Sequence, residues 1–257
     1  MSISGIARFR TTPSGEVLHK MNSINDSKMK SDFRQTGRLV GLLLLVQALL
    51  AIPVFTEIGM MRSIISPAFL TEAAANAVQI RIALILTFLL GGISIAVALV
   101  ALPVFRPASE RLFWLYFGLG MVGLATAAIE SVVVREMLAM SINYSKPNAG
   151  AIYTSLIPAM RSEWSAAHFF NLALGHVKAL LFFLILYRGR FVPRLLAGAG
   201  VLATILSTTA ATTALVGVPF SYDMVAPTGL VQLAMTLWLI VMGFSASAAI
   251  GGAEGKK

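Results

Sequence analysis

Two ionisable side chains inside long apolar segments, Glu130 and His168, are the residues best suited to chemistry in this chain. A carboxylate and an imidazole can share a proton, form an ion pair or anchor the polar group of a ligand. Ionised groups in hydrocarbon are costly, so they ordinarily face a cavity, a partner or a site. At ~1.5 Å per residue, Glu130 lies ~6 Å inside the outer end of the third apolar segment, and His168 ~5 Å inside that of the fourth. The two depths agree. Gly123, Thr126 and Glu130 share one helix face, and His168, Asn171, Gly175 and Lys178 share another. Two facing polar stripes predict a hydrogen bond or ion pair between Glu130 and His168, either as a structural pair or as a ligand or proton site. Gln232 in the sixth segment and Glu57 at the outer end of the first lie at comparable depth. They complete a ligand set of Glu130, His168, Asn171, Gln232 and Glu57 wherever their helices adjoin.

The other polar residues in the segments read differently. Lys178 sits roughly 13 Å from Glu130 along the membrane normal. It is expected to extend its apolar stem and lift its ammonium to the near interface. Lys178, Arg188, Arg190 and Arg194 are therefore read as membrane or headgroup contacts. His176 is about 80° around the helix from His168. A hydrogen bond to a neighbouring helix is its expected role, with haem ligation through His176 or His168 a distant alternative. The spacing of His and Glu fits no metalloprotease pattern, and no metal site is predicted. Thr204, Thr208 and Thr212, at i, i+4 and i+8, are expected to bond back to their own helix or across to another. Gly118, Gly120, Gly123 and the run 197–200 read as close helix contacts.

The segments that position these groups follow from composition. Apolar residues are 57% of the chain and charged residues 12%, far from the average of soluble domains. Mean hydropathy is +0.82. Stretches of about 20 apolar residues, long enough to cross a ~30 Å core, fall at 39–60, 82–105, 112–134, 165–187, 194–218 and 227–248. The fold class is accordingly all-α: an integral membrane bundle of six transmembrane helices. With six crossings both termini share a side, and that side carries fourteen Lys and Arg against five opposite. The positive-inside rule places it in the cytoplasm. The net charge of +9 is thus explained by membrane orientation, and no nucleic-acid partner is predicted.

Residues 1–36 form a basic polar tail with too few apolar residues for a core, expected to be disordered or peripheral. The membrane domain is 37–249, and 250–257 a short polar end. Tight turns join the spans on the cytoplasmic side at 106–111 and 188–194. Longer excursions lie outside, at 61–81, where the alanine-rich stretch 71–77 suggests a short surface helix, and at 135–164. The second contains Tyr144, Tyr153 and Trp164, expected to anchor at the interface or to cover an outer pocket.

The run from Arg62 to Arg81, the turn Tyr187 to Leu196 and the six-span layout together resemble bacterial membrane proteins of domain-of-unknown-function family 4386. The likeness covers about 36–247. It implies the architecture and, for a bacterial protein, the cytoplasmic (inner) membrane, but no activity and no functional residues.

No cysteine is present, which excludes disulfides, thiolate metal sites and cysteine nucleophiles. No nucleophile elbow, phosphate loop or dinucleotide fingerprint appears in a suitable context, so no catalytic residue is assigned. The expected function is binding of a small or lipidic ligand in an outer-half polar pocket. The alternatives are an accessory subunit of a larger membrane complex or a homo-oligomer, and, third, a membrane enzyme. The expected partners are the lipid bilayer and such a ligand or complex.

Overall fold

The computed structural model describes residues 15–55, 59–147 and 150–245, and among them every regular element is helical. The elements are α1 (Gly15–Phe55), α2 (Arg62–Ile65), α3 (Phe69–Glu72), a 3-10 turn at Ala74–Asn76, α4 (Ala77–Ala108), α5 (Glu110–Tyr144), α6 (Ile152–Gly189), α7 (Arg194–Leu215) and α8 (Ala226–Met242). A second 3-10 turn, Tyr222–Met224, precedes α8.

Five of these helices are long and apolar enough to cross a membrane: Ser27–Phe55 within α1, Ala74–Ala108, α5, α6 and α7. The sixth expected span, 227–248, is α8, an apolar helix of 17 residues. It is shorter because Gly243, at φ 70°, breaks the helix where the apolar sequence continues. Glycine reaches positive φ without the cost that a side chain brings, so it is the usual residue just past a helix end. Large apolar side chains cover the outside of the bundle, among them Leu39, Leu49, Ile85, Ile129, Leu202 and Leu230. An exterior of this composition suits a lipid environment.

The long helices form a ring in chain order. α1 packs on α4, α4 on α5, α5 on α6, α6 on α7 and α7 on α8, and α8 closes against α1. Closure depends on small residues. A Cβ added to Gly37 would lie 2.1 Å from the backbone nitrogen of Phe244, and one on Gly41 2.8 Å from that of Ile240. Other glycines do not mark contacts: a Cβ on Gly118, Gly123 or Gly175 would meet nothing within 4 Å. The α7 threonines bond mainly to their own helix, as with Thr208 Oγ1 to the Thr204 carbonyl at 2.7 Å and Thr212 Oγ1 to that of Thr208 at 2.8 Å. Ser207 is the hydroxyl that reaches across, 2.6 Å from Thr228 Oγ1 on α8.

Two apolar cores fill the two ends of the ring. One is aromatic, with Phe105 of α4 at its centre, stacked on Phe191 at 6.0 Å and tilted against Phe182 and Phe244. The second joins Phe69, Leu70, Ile80, Val134, Met137 and Leu138. The stretch 71–77, expected as a short surface helix, is the end of α3, a 3-10 turn and the first residue of α4, exposed at Thr71, Glu72 and Ala75 but anchored inward at its start. Phe69 and Ala73 are fully buried, and the Ala74 amide donates to Ser141 Oγ of α5 at 2.8 Å. Two apolar side chains a helical turn apart pull the segment inward.

Helix ends also depart from the expected spans. α5 runs on from 134 to Tyr144 and α6 begins at Ile152 rather than 165, so most of the excursion expected at 135–164 is helix. Tyr144, Tyr153 and Trp164 pack against the second core. α1 begins at Gly15, inside the segment read from composition as a polar tail. Between α4 and α5 the connection is one residue, Ser109, whose hydroxyl accepts from the Leu112 amide at 3.5 Å and caps the new helix.

Candidate functional site

α5 and α6 run side by side and present their polar faces to each other. Glu130 Oε1 lies 2.8 Å from His168 Nδ1, and Glu130 Oε2 accepts from Asn171 Nδ2 at 2.9 Å. Asn171 Oδ1 accepts from Thr126 Oγ1 at 3.0 Å, a hydroxyl equally close to the Gly123 carbonyl. Residues four apart on α5 and three apart on α6 stay on one face of each helix. The predicted meeting of the two stripes is thus what the structure contains. Three of the five expected ligand residues, Glu130, His168 and Asn171, are joined in one network.

Donors converge on the carboxylate. Thr126 donates to Asn171, Asn171 to Glu130, and His168 to Glu130 when its proton is on Nδ1. A carboxylate held by two donors is stabilised where water is scarce. A protonated imidazole makes the contact an ion pair; a neutral one makes it a hydrogen bond. Side-chain exposure of 19% for His168 and 13% for Glu130 puts the pair inside the bundle with limited access from outside. Trp164, one turn before His168, stacks on its imidazole with ring centres 4.9 Å apart and planes 16° from parallel. Phe169 meets the same ring edge-on at 5.4 Å.

Glu130 and His168 line a cavity of about 20 Å³, together with Ser131, Leu84, Thr87, Val134 and Trp164. That is room for one water molecule. Its cover comes from the end of α1 and the chain before α3: Phe55, Met61, Ile64 and Ile65. Arg161 of α6 fastens the cover, donating to the carbonyls of Ile65 at 3.3 Å and Ser66 at 2.9 Å. Sequence reasoning did not find this cover. Short helices carry no periodicity to read, although Trp164 at i−4 from His168 was a usable sign of contact.

Two of the expected ligand residues are not brought to this cavity. Gln232 sits on α8, which packs against α1 and α7, away from the α5–α6 face. It is not among the lining residues. Glu57 lies outside the described residues.

Lys178 departs from expectation. Instead of reaching for an interface, its ammonium turns inward to the carbonyl of Ser94 on α4 at 3.2 Å and to the hydroxyl of the same residue. The ring of Tyr116 lies 5.0 Å away, in cation–π range. Neutral acceptors and an aromatic face provide inside the bundle what the stem would otherwise have to reach for. His176 is buried, and its Nε2 has no hydrogen-bond partner among the described residues, contrary to the expected bond to a neighbouring helix. His176 lies about 20° around the helix from Phe183, which faces α7 through Gly200. That direction differs from the one His168 takes. Among the described residues no group of three or more His, Asp or Glu could hold a metal.

The cationic turn between α6 and α7 is exposed. Arg194 lies over the Tyr187 ring at 5.8 Å, Arg188 faces outward, and Arg190 has φ 50°.

Residues 39–243 match the family described as Domain of unknown function (DUF4386), and the chain belongs to that family. No curated protein and no solved structure matches it.

Proposed function

We propose that this member of a family of unknown function is a six-span protein of the bacterial inner membrane, with both termini cytoplasmic, that binds a small or lipidic ligand against Glu130 and His168. The observation that carries this reading is the Glu130 carboxyl, whose two oxygens meet His168 and Asn171 of α6 at the wall of a mostly apolar cavity. The fourteen-to-five division of Lys and Arg supports the orientation.

The ligand's polar end carries a hydroxyl or an amine, because the Glu130 oxygens offer it acceptors. Its apolar part lies among Leu84, Phe55, Met61 and Ile64. A ligand larger than water enters only if the cover moves, since the cavity has a volume of about 20 Å³. Asn171 does not touch the ligand in this scheme; it orients Glu130, and Thr126 orients Asn171.

The test is native mass spectrometry of protein purified in mild detergent. A retained small molecule should accompany the wild-type chain and be lost from Glu130→Gln and His168→Ala, both still helical and monodisperse. A wild-type chain with no adduct beyond bulk lipid, or one whose adduct survives both substitutions, would falsify the reading.

A further inference from the structure

At the end of the ring opposite the Glu130 cavity lies a larger space, a groove of about 840 Å³. Its walls are the polar start of α1, the turn between α6 and α7, and the chain leaving α8. Lys30 and Arg34 line it from α1 and Arg190 from the turn, while Trp238 lies along the α8 side. No acidic residue is among its described lining residues. Neither Lys30, Arg34 nor Arg190 forms an ion pair among the described residues. Asp32 is two positions from each α1 cation and opens instead on a separate depression beside Lys28.

The groove is built rather than incidental. The Ser245 amide donates to the Phe191 carbonyl at 2.8 Å, which ties the chain after α8 to the turn. Gly243 has φ 70° and lies so close to α1 that a Cβ there would meet the Arg34 carbonyl at 2.3 Å. Arg38, one turn after Arg34, donates to the Val241 carbonyl at 3.0 Å. Three elements are therefore fixed around three unpaired cations.

Arg190 supplies an independent sign. It is the one non-glycine residue of positive φ among the described residues, at the left-handed position that ends α6. Glycine or asparagine is usual there. The chain has a glycine one residue earlier, where a Cβ would strike the Phe191 ring at 2.2 Å. An arginine kept in a strained conformation at the rim of a cationic groove argues for a use of its side chain.

We propose that this groove binds the phosphate headgroup of an anionic phospholipid taken from the adjoining leaflet. Arg34 and Arg190 reach the phosphate oxygens with planar paired donors, and Lys30 adds a point charge. Trp238 packs along the glycerol and upper acyl chain, where an indole is at home at the membrane interface. Basic recesses between helices at the membrane surface recognise anionic headgroups by this chemistry.

The full chain in detergent is titrated with dioleoyl phosphatidylglycerol, dioleoyl phosphatidylcholine or inorganic phosphate at matched ionic strength, reading the thermal unfolding midpoint. The expected result is stabilisation by phosphatidylglycerol at concentrations well below those needed of phosphatidylcholine, with none from phosphate. Arg34→Gln and Arg190→Gly should each raise the half-saturating phosphatidylglycerol concentration about fivefold. Without lipid, Arg190→Gly should unfold no lower than wild type, because glycine accepts the left-handed backbone. This variant decides the matter even where Arg34→Gln fails to fold. Equal response to the two lipids, full stabilisation by phosphate alone, an unchanged lipid preference in Arg190→Gly, or a lower lipid-free midpoint for that variant each overturns the proposal.

Discussion

Trp164 lies flat on the imidazole of His168, one helical turn away, while Glu130 holds the same ring by its Nδ1 from the neighbouring helix. The histidine is fixed by its face and by its edge at once. A side chain held in two directions keeps its geometry, which is what the proposed binding role asks of it.

Removing either member of the pair should expose the coupling between them. We expect His168→Ala and Glu130→Gln each to lower stability by about 1.5–3 kcal/mol, the range for hydrogen bonds to charged groups. The double variant should lose less than the sum, with a coupling of about 0.5–3 kcal/mol. Thermal unfolding in detergent of the four proteins measures this. Strict additivity would show that the 2.8 Å contact contributes nothing to stability.

Arg161 should govern the cover. With Arg161→Ala the carbonyls of Ile65 and Ser66 lose a charged donor worth about 1.5–3 kcal/mol. Amide exchange across 61–73 should then rise by about tenfold or more, while α7 stays as protected as before. Hydrogen–deuterium exchange with peptide resolution is the measurement. Unaltered exchange in the cover would mean that the apolar contacts of Phe69 and Ile64 suffice to hold it.

The seam between α1 and α8 has no room for a side chain. Gly37→Ala would drive a methyl to within 2.1 Å of the Phe244 backbone, and overpacking of this kind costs about 1–3 kcal/mol. The unfolding midpoint should fall. In contrast, Gly123→Ala meets open space and should be neutral or slightly stabilising, since alanine is the better helix former.

Lys178 keeps a cation among neutral partners, Ser94 and Tyr116. Lys178→Met, of similar length and without charge, should leave stability unchanged or raise it, because a desolvated ion is often matched by a well-packed apolar side chain. Comparison of unfolding midpoints tests this. A large drop would show that the ammonium is a fastening of the bundle.

The sequence made the Glu130–His168 contact legible through two independent rules, face periodicity and depth. The depth argument survived errors in both helix ends because α5 and α6 are prolonged outward by similar lengths, from 134 to 144 and from 165 to 152. Other features depended on which helices adjoin, and no single-helix rule supplies that. Gln232 failed for this reason: it shares a depth with Glu130 but sits on a helix that packs elsewhere. Lys178 departed from expectation because acceptors on α4 and the Tyr116 ring lie within its reach inside the bundle. For α8 a readable sign was passed over, since Gly243 is the stop that the apolar run beyond it obscured. The cover was illegible because Met61, Ile64 and Phe69 sit in helices of four residues or beside them.

The ring order bears on how the molecule comes together during synthesis. Each long helix finds its partner in the one made just before it, so most of the wall can assemble as the chain emerges. The exception is the junction of the first and last helices, which joins residues about 200 apart in sequence, as in the bond from Arg38 to Val241. Until α8 arrives, the glycine-notched side of α1 waits without its mate. A nascent chain stalled before Ala226 would be an open horseshoe, and any factor that guards it during biogenesis should be sought at Gly37 and Gly41.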